Sequence, residues 1–179
     1  MRKLFRFWNF IFFCLYNLQL NFHKVVRHIN PIYYLQKTKL VKGFFAEKRG
    51  IEDVADHIDK SVFYNTTNGI PIHWANIHIG NISVLLEILC FNVYQFVIKR
   101  NLLDNIMDNP KYLIIAFIVF ISPMAIFNYF VLSKNKIYLK YFEEFNKISA
   151  KKIYMYCVLC AIGYLVLVVL VIMSFTWLR

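Results

Sequence analysis

The sequence predicts an all-α integral membrane protein with about three transmembrane helices, an N-terminal interfacial amphipathic helix and a small cytoplasmic region. Three observations carry this expectation. Two runs, Tyr112 to Ser133 and Ile153 to Leu178, contain no charged residue, and each exceeds the roughly 20 residues that a helix needs to cross a hydrocarbon core about 30 Å thick. The 179 residues are 59% hydrophobic and only 17% charged, with a mean hydropathy of +0.49, which fits poorly with a water-soluble enzyme. Finally, the basic residues that give a net charge of +11 are unevenly distributed, and that asymmetry selects a topology.

The first segment begins Met1-Arg2-Lys3 like a secretion signal, but Arg6, Asn9, Asn17 and Gln19 interrupt its apolar run and no small-residue cleavage site follows, so it is expected to remain on the chain. Arg2, Arg6, Asn9, Asn17, Asn21 and Lys24 recur at helical steps, a narrow polar stripe opposite a broad Phe/Trp/Leu face. That pattern suits a helix lying in the headgroup region, assigned here to residues 1–24. It also suits residues 5–22 as a spanning helix whose stripe faces a partner or water.

Residues 25–79 are the expected cytoplasmic region, and all five histidines lie between Phe22 and Ile79. Ile51, Val54, Ala55, Ile58 and Val62 have the spacing of a short amphipathic helix, with Glu52 and Asp53 at its positive end. Beyond it, Asn68-Gly69 between VFY and IPIHW is a turn signal that predicts a small hairpin or an extended loop.

Residues 80–179 form the expected transmembrane domain, with spans at about 80–98, 112–133 and 153–178. The first of these is the least apolar. Asn81, Asn92, Gln95 and Lys99 fall in one helical sector with Glu87 near its edge, so this helix can span if the stripe is sheltered from lipid. The linker Lys134 to Lys152 carries six Lys and two Glu, and residues 1–80 carry eleven Lys or Arg, against three in Lys99 to Lys111. Placing both rich regions in the cytoplasm requires a crossing between them and the 112–133 run, hence three spans. Tyr138, Tyr141, Phe142, Phe145 and Ile148 give the linker helical periodicity as well.

A carboxylate in an apolar span costs about 2.5–3.5 kcal/mol on insertion scales, so Glu87 is expected to pair, protonate or face water. With Asn81, Asn92, Gln95 and Lys99 it forms the candidate lining of a pore, which three helices can enclose only through homo-oligomerisation with cyclic symmetry. Asp53, His57, His73 and His78 are of types able to bind metal, yet their spacing is not diagnostic and no metal or other cofactor is expected. No Gly-rich phosphate loop, Gly-x-Ser-x-Gly elbow or HExxH is present; a catalytic role is therefore not expected. Cys157 and Cys160 form a CxxC inside a spanning run and read, like Cys14 and Cys90, as small core residues. Basic residues interleave with aromatics from Met1 to Lys48. Beside a membrane that mixture points to anionic lipid headgroups rather than nucleic acid.

With its basic aromatic N-terminal part, its apolar C-terminal half and...NYFVL...YLKYFEEF... joining the two last spans, the chain is similar in outline to the small membrane accessory protein of type VI-B RNA-targeting CRISPR loci. That resemblance implies an oligomeric pore that depolarises the membrane in antiphage defence. The family's degenerate Arg-x4-6-His is not met, because the nearest pair, Arg49 and His57, has seven residues between, so nuclease activity is not carried over. The leading expectation is a homo-oligomeric channel or pore-forming effector in a bacterial inner membrane, multi-pass, with its N-terminal region cytoplasmic. The alternative is a non-enzymatic anchor or scaffold that recruits a cytoplasmic protein.

Overall fold

The computed structural model describes residues 2–51, 53–99, 101–102 and 110–178, and these are helix or short turn throughout. Helix α1 runs Arg2–Ile29, free of Gly and Pro, and stops where Asn30 precedes Pro31 and is driven to φ −76°, ψ 114°. The Asn30 side chain then accepts from Ile32 N at 3.0 Å and so caps α2, Pro31–Gln36. Helix α3, Lys39–Arg49, ends at Gly50 with φ 65°, a left-handed conformation that glycine adopts without strain.

Next, α4 spans Val54–Ile58 and widens into a π-turn over Asp59–Phe63. Its expected amphipathic character is present, with Val54 and Ala55 buried. Asp53 is its N-cap, accepting from Asp56 N at 3.1 Å; Glu52 lies outside the described residues.

The expected hairpin is not formed. Helix α5 begins at Ile70 and runs unbroken to Ile98, and there is no strand among the described residues. Pro71 sits in its first turn, where a missing N–H costs nothing. Gly69 is needed there for space, since an added Cβ would lie 2.3 Å from Asn65 O and 2.7 Å from Val62 O. Helix α6, Pro110–Asn128, continues through a π-turn at Tyr129–Ser133 and a 3-10 turn to α7, Ile137–Phe145; α8, Ala150–Ser174, closes the chain with a 3-10 turn. The boundaries expected at 24/25 and 79/80 fall inside α1 and α5.

Among the described residues, two helices are long and apolar enough to cross a membrane, Ile70–Ile98 and the stretch Ala150–Trp177. The bundle forms around α1. Phe12, Phe13, Cys14, Leu15 and Tyr16 are successive and all buried, and at 100° per residue five in a row cover the whole circumference, so over this stretch α1 is enclosed rather than seated on a surface. Phe10 and Phe13 pack on Phe145, Phe12 on Tyr138, and Tyr16 on Phe142, two of these pairs edge to face and two tilted. The helical periodicity expected of the linker is thus realised in α7, which folds against α1. The aromatic face of α1 meets protein from Trp8 to Tyr16, and an interfacial position for residues 1–24 gains no support from this packing. His23 lies beside Asp59, just before α5, whereas Trp8 is linked through Asn128 to Ser83 in mid-α5; α1 and α5 therefore run in opposite directions.

Candidate functional site

A polar seam runs along α5, and each of its members has a partner on another segment. Ser83 donates to Ile79 O at 2.8 Å and accepts from Asn128 Nδ2 at 2.8 Å, while Asn128 Oδ1 accepts from the Trp8 indole N–H at 2.7 Å. One chain of hydrogen bonds thereby ties α1, α6 and α5 together. A turn further, Glu87 Oε1 accepts from Met124 N at 3.2 Å. Pro123 lies inside α6, where it lacks an N–H and crowds the preceding turn, so Glu87 meets α6 at the point where its ladder is weakest. Near the end of α5, Asn92 Nδ2 donates to Ser174 Oγ at 2.8 Å, Gln95 Nε2 donates to Asn92 Oδ1 at 3.3 Å, and Gln95 Oε1 accepts from Leu102 N at 2.7 Å. Ser174 in turn donates to Val171 O at 2.6 Å.

The five expected lining residues therefore part company. Asn92 and Gln95 have 0% exposure and are turned into the protomer, because α8 and the segment after α5 supply the partners their amides need. Glu87 is half-buried against α6. Asn81 and Lys99 are exposed, and Lys99 takes a left-handed φ of 54° that ends the helix. Sequence reasoning found the stripe but missed Trp8, Ser83, Asn128 and Ser174, which complete it. A further buried amide, Asn9, donates to Phe5 O at 2.8 Å and Val131 O at 3.1 Å and pins the π-turn to α1.

The metal-ligand candidates are scattered. Asp53 is held by Lys42 Nζ at 2.9 Å, and that ammonium, followed by the Asp56 N–H, keeps its carboxyl below the ordinary 3.8. His57 is exposed at the end of α4. His73 and His78, expected on extended chain, are both on α5: His73 is exposed, and His78 stacks on Trp74 and meets the edge of Tyr164. No group of three or more His, Cys, Asp or Glu able to hold a metal occurs among the described residues.

One ionisable cluster was not foreseen. Asp59 is buried and receives Arg27 Nη1 at 2.5 Å and His23 Nε2 at 3.3 Å, with the His23 ring stacked on Phe63. Arg27 also donates to the Tyr33 hydroxyl, and Arg27 first, then Lys37, draw that phenol below its ordinary range. The cluster borders a cavity of about 250 Å³ between α1, α2 and the π-turn. Its only sequence signal is the i, i+4 spacing of His23 and Arg27, since Asp59 is 36 residues from His23. Three cysteines meet where α1 touches α8: Cys157 Sγ lies 3.4 Å from Cys14 O, with Cys160 one turn on, and Cys14 and Cys160 line an apolar cavity of about 610 Å³ between α1, α5 and α8.

No protein-family model, curated protein or solved structure matches the chain.

Proposed function

We propose that the chain is a multi-pass membrane protein in which α5, α6 and α8 cross a bacterial inner membrane and which acts without enzymatic chemistry, as an anchor or scaffold holding the α2–α4 region at the cytoplasmic face. The observation that carries this reading is the fate of the α5 seam. Asn92 and Gln95, the residues best suited to face water, have no exposure and spend their hydrogen bonds inside one protomer. Polar groups used this way join helices in a medium that offers them no other partner. The excess of Lys and Arg in the linker and in the α1–α4 region supports a cytoplasmic position for both. Reporter fusions after residues 60, 105 and 147 test the topology: cytoplasmic, external and cytoplasmic signals are expected. For the anchor, native mass in detergent should give a monomer or one stoichiometric protein partner, with the membrane potential unchanged on expression.

The second reading is a homo-oligomeric pore-forming effector that depolarises the membrane. What favours it is Asn81, exposed on α5, and Lys99, exposed at the residue that ends it, which bracket the line of the helix that carries Asn92 and Gln95. In that reading, assembly exchanges the Asn92 and Gln95 bonds for water along the same line. A closed ring of subunits, with depolarisation abolished by Glu87→Leu and Asn92→Leu together, would replace the anchor by the pore.

A further inference from the structure

The most exposed large apolar side chains among the described residues are not on the apolar spans. They are Leu40 at 88% and Ile29 at 76%, whereas the highest value on α5, α6 or α8 is 69%, at Val97. Around them Val25, Ile32, Tyr34, Leu35 and Phe44 are also more than half exposed. On α3, Leu40, Phe44 and Lys48 follow at i, i+4 and i+8 and share one side, and Lys48 Nζ lies 4.6 Å above the Phe44 ring. Val41 and Phe45 are half-buried toward the protein, so α3 presents a second apolar side outward.

The same stretch is strongly basic. Residues 24–49 contain seven Lys or Arg against the single Glu47. Lys24, Lys37 and Lys39 form no ion pair with a carboxylate among the described residues. Leucine and phenylalanine in water, ringed by unpaired lysines, match one surface in charge and chemistry: the interface of an anionic bilayer, where the ring and alkyl groups enter the acyl boundary and the ammonium groups meet phosphate.

We infer that the outer face of α2–α3 with the end of α1, centred on Leu40, Phe44 and Ile29, docks on the anionic cytoplasmic leaflet of the bilayer that α5 and α8 cross. The interfacial element of this protein is thus α2–α3 and not the first 24 residues. This rests on the membrane reading alone, and is independent of the choice between anchor and pore.

The test uses the full chain in lipid nanodiscs, with Cys90 and Cys160 replaced by Ala and a nitroxide at Leu40→Cys or, as a water-facing control, Lys60→Cys. In discs of phosphatidylcholine mixed with phosphatidylglycerol, the label at 40 should be reached by oxygen in preference to a water-soluble nickel chelate, at a depth of about 5–10 Å, and the label at 60 should not. Neutral lipid, or Lys37, Lys39 and Lys48 all changed to Gln, should shift docking toward water by about a hundredfold, from the contribution of each lysine near an anionic surface. A label at 40 that stays water-exposed in anionic discs overturns the inference. So does protection appearing only when single-stranded RNA or a soluble protein is added, or protection that stays as strong in neutral lipid and in the Gln variant as in anionic discs. Failure of the membrane reading shows separately, as release of the unlabelled chain from membranes by alkaline carbonate.

Discussion

Replacing Asn92 isolates the contact that joins the far ends of α5 and α8. The Asn92 amide bonds Ser174 Oγ at 2.8 Å and receives Gln95 Nε2 at 3.3 Å, all at 0% exposure. Inter-helical side-chain hydrogen bonds in membrane proteins average about 0.6 kcal/mol and reach about 1.7. Asn92→Ala also leaves the Gln95 amide buried with one bond fewer, so its total cost should be roughly 1–3 kcal/mol. Ser174→Ala should cost less, about 0.5–1.5 kcal/mol, because the hydroxyl's own donor is spent within its helix on Val171 O. Reversible unfolding in mixed micelles, followed by helical ellipticity and by Trp177 fluorescence, measures both, since Trp177 lies 6.1 Å from Phe96 and reports this end of the bundle. In a double-mutant cycle the coupling should be about 0.6–1.7 kcal/mol. Strict additivity, a coupling indistinguishable from zero, would refute the claim that this bond holds α5 to α8.

Other contacts make equally direct predictions. Asn128→Leu strips the partner from the Trp8 indole N–H and should cost about 1–3 kcal/mol; Trp8→Phe, which removes that donor, should cost less in the Asn128→Leu background than in the native chain. Gly69→Ala drives a Cβ against two backbone oxygens and should destabilise the start of α5 by about 1–3 kcal/mol, seen as a lowered midpoint in the same titration. Because Asp53 titrates below its ordinary 3.8 when folded, its contribution is present above that value and is lost as pH falls through the lower, folded one. Asp53→Asn should therefore flatten the acid dependence of amide exchange at Asp56 while leaving neutral-pH exchange faster throughout. Maleimide in detergent should modify Cys90, which is exposed on the protein but covered by the micelle, before buried Cys14 and Cys157, which should react only after unfolding.

Periodicity made the helices legible, and it did so wherever apolar residues met partners close in sequence. The amphipathic spacing from Ile51 to Val62 became α4 and its π-turn, and the apolar run from Ile153 became α8. The start of α5 was misread because Gly69 and Pro71 serve a helix N-terminus as well as a turn between strands. Only the packing of Gly69 on Asn65 and Val62 decides between them. The environment of α1 was beyond reach for a different reason: an aromatic face reads the same whether lipid or protein covers it. In the same way the Asn92 and Gln95 stripe could be seen, but Ser174, 82 residues away, could not be named as its partner. The Asp59 cluster is hidden likewise by distance along the chain.

The enclosure of α1 has a consequence for how the chain is assembled. Three of its polar partners, Asn128, Glu144 and Cys157, lie 120, 138 and 143 residues downstream. Part of what covers this helix is thus translated long after it, and contacts so remote in sequence close slowly. Until α7 and α8 exist, Phe12, Phe13 and Tyr16 lack the rings that cover them, and this helix must wait against lipid or a chaperone. A nascent chain stopped before Ile137 should hold α1 open to proteolysis, and release of α8 should mark the moment at which it becomes protected.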